Sequence, residues 1–285
     1  MQSENVMQSA AKHLARNTNS IVGLAQLLSQ ARCFASLCMT SYPIYSATSS
    51  ASRQKVAPIP LGSKGVGSAA IIFTVWLALL TFTLAFYQPN WMSPAPYLLA
   101  LLQMHLYTGL FITAHDAMHG VVSANKRLNN AIGTIAALLF AFNWFPGMLP
   151  KHHAHHRHVG TNEDPDFHDD RHPSFLFWLL RFAWNYLTWW QVALMALTYN
   201  VFKLYFPAVN VIVFWMLPAV LATLQLFFFG TYLPHRGEHE AGNLHHSRSQ
   251  FRHHVWAFVS CYFFGYHYEH HDQPYLPWWR LWRTK

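Results

Sequence analysis

The chain has 285 residues, of which 53% are hydrophobic and only 11% are charged. Ordinary globular proteins carry charges on about a quarter of their residues, so this composition favours a membrane protein over a soluble one. The formal net charge of +8 does not indicate nucleic acid binding, because lysine and arginine form no continuous stripe interleaved with aromatic residues. The three cysteines include no CxxC pair, which disfavours structural disulfides and thiolate zinc sites.

Residues 1–65 have the composition of a targeting segment. They are rich in alanine, serine, threonine and glutamine, and Glu4 is their only acidic residue. Their basic residues are Lys12, Arg16, Arg32, Arg53, Lys55 and Lys64. This composition predicts a transit peptide that directs the chain to an organelle, and a disordered basic extension on a membrane surface is the alternative.

Four apolar stretches follow, and each is long enough to cross a bilayer, which takes about 20 helical residues. They lie at residues 69–87, 95–114, 174–200 and 207–233. The first two form a hairpin around the turn-forming residues 88–94, and the last two are joined near Lys203. The sequence therefore predicts that residues 66–285 form an all-α integral membrane domain with four transmembrane helices.

Two further apolar stretches are predicted not to cross. A crossing at residues 131–149 would place the histidines before and after it on opposite membrane faces, and Asn143, Pro146 and Gly147 would break a helix there. Residues 255–266 are too short to span comfortably. We expect interfacial or re-entrant helices at both places. Most cations fall on the histidine side, which the positive-inside rule assigns to the cytosol or stroma.

Three histidine clusters lie beside these stretches on one predicted membrane face. Their spacings are HxxxH at residues 115–119, HxxHH at 152–156 and HxxHH at 267–271. Helix positions three or four residues apart share a face, so each cluster can direct its imidazoles to one point. The eight imidazoles exceed the three or four ligands of a zinc site and suit two octahedral metal ions.

A histidine-rich metal transporter is the alternative from a different functional class. Transporters place coordinating groups near the bilayer midplane, whereas these clusters lie at the ends of the predicted spans. His105 is the only histidine deep within a span, where it is either a functional residue or a neutral imidazole bonded to a neighbouring helix. The clusters therefore favour a metalloenzyme.

The triple-cluster pattern resembles the membrane desaturase and hydroxylase superfamily, which has four transmembrane helices beneath a non-haem di-iron site. Further motifs within residues 66–285 resemble the β-carotene ketolases specifically. They are HDAMHG at 115–120, FNWFP at 142–146, KHHAHH at 151–156, GTNEDPD at 160–166, FGTYLPHR at 229–236 and YHYEHH at 266–271. The N-terminal extension resembles that of plastid-targeted algal members.

The resemblance implies nine histidine ligands for two irons in a cap on the cytosolic or stromal face. Eight are the clustered His115, His119, His152, His155, His156, His267, His270 and His271. For the ninth, His235 is favoured because it lies at the end of the fourth span, and His246 is the alternative. Four nearby acidic residues have two possible roles. They either orient the imidazoles by accepting hydrogen bonds from them, or they are hydrated loop residues. These acids are Asp116, Asp164, Asp166 and Glu269.

The implied activity is the O2-dependent oxidation of C4 and C4′ of β-ionone rings to ketones. It would give echinenone and canthaxanthin from β-carotene, and astaxanthin from hydroxylated carotenoids. Electrons are expected from an external ferredoxin-like donor, because the sequence has no flavin or nicotinamide fingerprint. The implied location is a plastid or chloroplast membrane, with the bilayer, the carotenoid and the donor as partners. A carotenoid ring hydroxylase and an acyl-lipid desaturase are alternatives within the superfamily.

Overall fold

A computed structural model describes residues 45–46, 55–57, 62–168 and 173–285. The helices are α1 (Ser63–Ala85), α2 (Ala95–Met118), α3 (Lys126–Leu139), α4 (Phe145–His158), α5 (Phe175–Tyr186), α6 (Trp189–Phe202), α7 (Ala208–His235), α8 (His254–Cys261) and α9 (His267–Asp272). A 3-10 helix spans Trp278–Thr284, and β1 (Tyr45–Ser46) pairs antiparallel with β2 (Ser249–Gln250). Most of residues 1–65 lie outside the described ranges, so the targeting segment and its boundary stay predictions.

Three of the described helices are long and apolar enough to cross a membrane. They are α1 with 23 residues, α2 with 24 and α7 with 28. These helices correspond to the first, second and fourth predicted spans. α7 contains two π-helical segments, Ile212–Met216 and Phe227–Tyr232, and the second of them lies just before the histidine end.

Contacts at the helix ends show how the chain runs. At the start of α1, a Cβ on Gly65 would stand 2.3 Å from the carbonyl oxygen of Val122, which follows α2. At the opposite end, the Asn210 amide of α7 donates to the carbonyl oxygens of Thr83 and Tyr87, both at 2.8 Å. α1 is therefore antiparallel to both α2 and α7, and the latter two run side by side toward the histidines.

The predicted third span, residues 174–200, is not one helix. α5 has 12 residues and α6 has 14, and the chain leaves helical geometry between them at Leu187 and Thr188. A capping box starts α6, because the Gln191 side chain accepts a hydrogen bond from the Thr188 N–H at 2.8 Å and Thr188 caps the helix in return. A single helical crossing at this place was therefore a wrong expectation.

The segment predicted to be re-entrant, residues 131–149, covers the end of α3 and the start of α4. Each of these two helices has 14 residues. The chain reverses between them through Ala141 and Phe142, which have left-handed φ angles of 54° and 57°. Pro146 occupies the first turn of α4, where a missing N–H costs no helical hydrogen bond. This reversal brings the α4 histidines back toward α2.

Two glycines let the C-terminal loop approach the spanning helices closely. A Cβ on Gly109 of α2 would stand 2.6 Å from the Tyr262 hydroxyl oxygen, and one on Gly230 of α7 would stand 2.6 Å from the Phe264 ring. Small residues allow such approach between membrane helices. The loop that precedes α9 is therefore seated directly against α2 and α7, which places the α9 histidines at the helix ends.

Candidate metal centre

The nine histidines named from the sequence converge at the ends of α2 and α7 in two groups. The first group consists of His115, His119, His152, His156 and His270. The second group consists of His155, His235, His267 and His271. Within each group, one ring nitrogen of every histidine lies within 4.8 Å of the others. The structure thus brings all nine positions together and divides them between two centres.

The HxxHH cluster of α4 contributes to both groups. His152 and His156 are four residues apart and belong to the first group, whereas His155 belongs to the second. Positions four residues apart lie on one helix face, and the residue just before the second of them is rotated away around the axis. The cluster of α9 has the same spacing with the assignments exchanged. Each of these helices therefore bridges the two groups.

Ring nitrogens in the first group approach as closely as ligands of one ion do. The Nε2 atoms of His119 and His152 are 2.6 Å apart, and those of His156 and His270 are 3.1 Å apart. Two imidazole nitrogens bound at right angles, each about 2.1 Å from a metal, lie about 3 Å from each other. The buried Nε2 of His115 has no hydrogen-bond partner within the described residues, so its lone pair is available to a metal.

The second group shows the same close approach. The Nε2 of His267 lies 2.8 Å from that of His235 and 3.0 Å from that of His271. The Nε2 atoms of His155 and His271 are 3.2 Å apart. Lone pairs that face each other at these distances repel unless a proton or a cation lies between them. The donor set of both groups therefore fits metal ions, and imidazole is a ligand that iron accepts.

Burial keeps the imidazoles in the form that binds metal. The pKa values of His119 and His152 lie well below the usual value for histidine. Burial is the largest cause, and the neighbouring histidines lower these pKa values further. His155 differs, since burial lowers its pKa but the carboxylates of Asp166 and Asp164 outweigh burial and raise it. Because ligation requires neutral imidazole, the low values favour metal binding over protonation. The two carboxylates beside His155 would attract a metal cation as they attract a proton.

Asp164 orients His155. Its two carboxylate oxygens lie 2.9 and 3.1 Å from His155 Nδ1, and the residue is only 2% exposed. The same carboxylate accepts hydrogen bonds from the backbone N–H groups of Gly160 at 3.0 Å and Asp166 at 2.9 Å. A carboxylate that holds one ring nitrogen directs the other toward the metal. For Asp164, the geometry fits the orienting interpretation and not that of a hydrated loop acid.

His235 and His246 have different relations to the site. His235 lies at the end of α7, is 1% exposed and directs its Nε2 into the second group. Its Nδ1 donates to the backbone carbonyl oxygen of His246 at 2.9 Å. The His246 side chain belongs to neither group. His235 therefore lies among the candidate ligands, whereas His246 contacts them through its backbone carbonyl.

Asp116 is buried and Asp166 is half-buried beside the histidines, and both bind other partners. Asp116 accepts a hydrogen bond from the Trp278 N–H at 3.1 Å, and its carboxylate stands 3.8 Å from His115 Nδ1. Asp166 accepts a hydrogen bond from the Tyr186 hydroxyl. The first acid ties the C-terminal 3-10 helix to α2, and the second ties α5 to the loop after α4. The role of Tyr186 has no signal in the sequence.

Glu269 lies within α9 and is only 1% exposed. It accepts a hydrogen bond from the Ser249 hydroxyl, and Lys285 Nζ lies 2.7 Å from its carboxylate. A buried carboxylate is stable only with such partners. Glu269 therefore fastens α9 to β2 and to Lys285, and its burial contradicts the interpretation as a hydrated loop acid.

His105 takes part in neither group. Its ring stacks on Tyr262 with the centroids 4.4 Å apart and meets Phe258 edge-on at 5.2 Å. Neither ring nitrogen has a hydrogen-bond partner in the part of the chain that the structure describes. Aromatic packing, and not the expected hydrogen bond to a neighbouring helix, holds this imidazole.

An apolar cavity of about 520 Å³ opens beside the histidines. Its wall includes six of them, namely His115, His152, His155, His156, His267 and His270. From there the cavity runs between α5, α6 and α7, past Leu180, Met195 and Val220. Leu180 and Val220 are 56% and 57% exposed, so the cavity reaches the apolar outer surface. Sequence analysis missed these wall residues, because apolar residues in a span carry no distinguishing pattern.

Comparison with known proteins agrees with this architecture. The family model described as fatty acid desaturase matches residues 89–189 and 173–285. A β-carotene ketolase of Paracoccus sp. (strain PC1) is 41% identical over 231 residues, which cover 77% of this chain and 91% of that protein. The β-carotene 4-ketolase of Protosiphon botryoides is 34% identical over 253 residues, covering 80% of this chain and 65% of that relative. The zeaxanthin 4-ketolase of Chlamydomonas reinhardtii is 34% identical over 234 residues, covering 76% of this chain and 52% of that relative.

The family match includes every histidine of the two groups. The relatives align with most of the chain, and the Paracoccus protein aligns over nearly its whole length. The chain therefore belongs to the fatty acid desaturase family and, within it, to the β-carotene ketolases.

Proposed function

We propose that this protein is a membrane di-iron oxygenase that oxidises C4 of a carotenoid β-ionone ring to a ketone. The observation that carries the proposal is the apolar cavity, which begins at the outer surface of the spanning helices and ends on six histidines. Its volume of about 520 Å³ lies within the usual range for sites that bind small organic molecules. An apolar ring can therefore reach the metal centre from the bilayer.

The nine imidazoles are the proposed ligands, five for one iron and four for the other. When bound, the irons would supply the oxidation of a C–H bond by dioxygen, a reaction that side chains alone cannot perform. The protein holds the ligands in place through the Asp164 carboxylate and the His246 carbonyl. It also holds the ring in a site lined mainly by apolar side chains such as Phe111 and Phe264, which exclude water from the reacting carbon.

The reaction balances as two successive oxidations at one carbon. Each consumes one dioxygen, two protons and two electrons, and each releases one water. The first turns the ring methylene into an alcohol, and the second adds another hydroxyl to the same carbon. The resulting geminal diol loses water and leaves the ketone. We assign the electrons to an external one-electron carrier of the ferredoxin type.

The substrate class follows from the shape of the cavity and from the relatives. The apolar wall suits a β-ionone ring, with the polyene extending toward the opening between α5, α6 and α7. Relatives at 34% to 41% identity are a β-carotene ketolase and a zeaxanthin 4-ketolase. Echinenone and canthaxanthin are the expected products from β-carotene, and astaxanthin is expected from rings that already carry a hydroxyl.

We assign the fourth membrane crossing to α6 alone. The Gln191 amide at its start donates to Asn143 at 2.8 Å, close to the reversal between α3 and α4. Phe202 at its end packs on Trp215 with the ring centroids 5.2 Å apart, in the half of α7 remote from the histidines. α5 instead stays at the histidine level, where Phe175 packs on Tyr232 at 5.0 Å.

We propose that both histidine groups lie on the cytosolic or stromal face. The histidine ends of α2 and α7 lie on the same side as the start of α1. Residues 1–65 are rich in cations and have transit-peptide composition, so we propose a plastid membrane as the location.

The deciding experiment is pigment analysis of β-carotene-accumulating bacteria that express the full chain, by liquid chromatography and mass spectrometry. Echinenone and canthaxanthin are expected with the intact protein and are expected to be absent with His155→Ala. Iron content of the purified protein is measured in parallel. Unchanged β-carotene beside iron-loaded protein would contradict the proposal, and 3-hydroxylated products would assign a ring hydroxylase instead.

A further inference from the structure

The cavity beside the histidines contains a hydroxyl group that the protein does not use. Among the described residues of its wall, the polar side chains other than histidine are Asn143, Asp166, Tyr186, Gln191, Thr223 and Thr231. Five of the six are engaged within the protein. The sixth, Thr231, makes no side-chain hydrogen bond to any described residue and is 7% exposed.

The engaged groups form short internal bonds. The Gln191 amide donates to Asn143 at 2.8 Å, and the Tyr186 hydroxyl donates to Asp166. The Thr223 hydroxyl donates at 2.9 Å to the carbonyl four residues before it in α7. Because these hydrogens are used by the protein, none of them is available to a bound ring without breaking an existing bond.

Other helical threonines show what Thr231 would ordinarily do. Five of them donate to the carbonyl oxygen four residues earlier, at 2.8 to 3.2 Å. They are Thr83, Thr108, Thr113, Thr134 and Thr223. Thr231 lies in the π-helical segment Phe227–Tyr232, whose wider turn shifts that carbonyl out of register. Thr74 and Thr198, which lie in regular α-helix, likewise make no such bond to a described residue, so what distinguishes the unused hydroxyl of Thr231 is its place in the cavity wall.

The hydroxyl of Thr231 stands near the metal centre. Thr231 lies four residues before His235 on α7, and the adjacent Gly230 admits the ring of Phe264, which also lines the cavity. A buried hydroxyl in an apolar setting is unfavourable unless it finds a hydrogen-bond partner. Within the described part of the chain no protein group supplies one, and Thr231 lines the cavity, so its hydroxyl can bind water or a polar atom of the bound molecule.

We propose that Thr231 forms a subsite for a hydroxyl group on the β-ionone ring. This inference rests on the proposed function. Two ring positions offer the same chemistry: the 4-hydroxyl made by the first oxidation, and the 3-hydroxyl of a ring that was hydroxylated beforehand. A bond to the 4-hydroxyl holds the alcohol beside the histidines, so the second oxidation occurs before release. A bond to the 3-hydroxyl favours hydroxylated substrates.

The test compares Thr231→Val and Thr231→Ala, which remove the hydroxyl, with Thr231→Ser, which keeps it. Thr113→Val is the matched control, because that buried threonine lies in α2 outside the cavity wall and bonds its own helix. Each full-length variant is expressed in cells that accumulate β-carotene and in cells that accumulate zeaxanthin. The readout is the ratio of 4-hydroxy to 4-keto products, together with total conversion and iron content.

Loss of one hydrogen bond to the ring should change either the ratio of 4-hydroxy to 4-keto products or the total conversion about tenfold in Thr231→Val and Thr231→Ala. Thr231→Ser and the control Thr113→Val should stay near wild type. A raised 4-hydroxy to 4-keto ratio in both cell types supports the subsite with the 4-hydroxyl as ligand. Reduced conversion of zeaxanthin alone supports it with the 3-hydroxyl. Equal ratios and conversions in Thr231→Val, Thr231→Ala and Thr113→Val overturn the inference. An equal loss of alcohol and ketone in both cell types, at unchanged iron content, also overturns it. Wild-type cells without ketone would instead refute the proposed function itself.

Discussion

The two histidine groups differ in what surrounds them. The first has five imidazoles, of which four line the cavity, whereas the second has four imidazoles and only two line it. Two histidines of the second group are hydrogen-bonded through the Nδ1 atom, on the ring side away from the other histidines. His155 bonds the Asp164 carboxylate, and His235 bonds the His246 carbonyl oxygen. The first group therefore faces the cavity, and the second is anchored in the loops that follow α4 and α7.

Because of this difference, substitutions near the two groups should cause different kinds of defect. Changes near the first group should affect how the ring is oxidised, whereas changes behind the second should affect how firmly metal is retained. α9 contributes histidines to both groups, so a change that displaces the whole helix should affect both groups together.

The largest effect is expected from removing one ligand of each group on α9, with His270→Ala for the first and His267→Ala for the second. Loss of an outer-shell partner already costs about 10- to 100-fold in metal affinity or activity, so loss of a ligand should reduce ketone formation by more than about 100-fold. Each variant should retain close to one iron per chain. Ketone formation at the wild-type level in either one would contradict the assignment of that group.

Lys285→Met should disturb both groups together. It removes the cation 2.7 Å from the buried Glu269 carboxylate, and breaking a buried ion pair costs about 3 kcal/mol. We expect a lower thermal midpoint and loss of both irons in parallel. The double variant Lys285→Met with Glu269→Gln should recover part of the stability, since it leaves no unpaired charge. Selective loss of one iron would show that α9 does not link the groups.

Asp164→Asn should affect the second group alone. The asparagine amide is neutral and has one accepting oxygen in place of the two that now bind N–H groups, so metal retention should weaken by about 10- to 100-fold. Chelator titration followed by iron analysis measures this, with one iron leaving earlier than the other. Asp116→Asn is the control, because that carboxylate bonds the Trp278 N–H instead. Equal release of both irons from Asp164→Asn would remove the proposed difference between the groups.

The smallest effect is expected from His246→Ala. Only its backbone carbonyl contacts His235, so ketone formation should stay within about twofold of wild type, the range of most surface substitutions. His235→Ala in the same cells should lose activity. The reverse result would make His246 the ninth ligand.

Spacing was sufficient to name the histidines but not to divide them. HxxHH indicates that three imidazoles leave one helix near a common point, whereas for the ninth position the family resemblance favoured His235 and left His246 as the alternative. Which of the three serves which metal depends on how α4 and α9 are turned toward each other. That rotation is set by tertiary contacts such as Gly230 against Phe264, which have no local pattern.

Hydropathy did not predict the break between α5 and α6, because the polar residues that mark it lie inside an apolar stretch. Residues 174–200 look continuous by composition, yet Thr188 and Gln191 have the spacing of a capping box and mark the start of α6. The π-helix around Thr231 had no comparable signal, because its residues are as apolar as those of an ordinary span.

As the proposed fourth crossing, α6 is short for the surrounding lipid. Its 14 residues extend for about 21 Å at 1.5 Å per residue, whereas the hydrocarbon core is about 30 Å thick. Such negative hydrophobic mismatch is relieved when the bilayer thins beside the short helix. The thinned region lies at the mouth of the cavity, where α6 forms one wall. A carotenoid that never leaves the acyl chains thereby has a shorter path to the histidines.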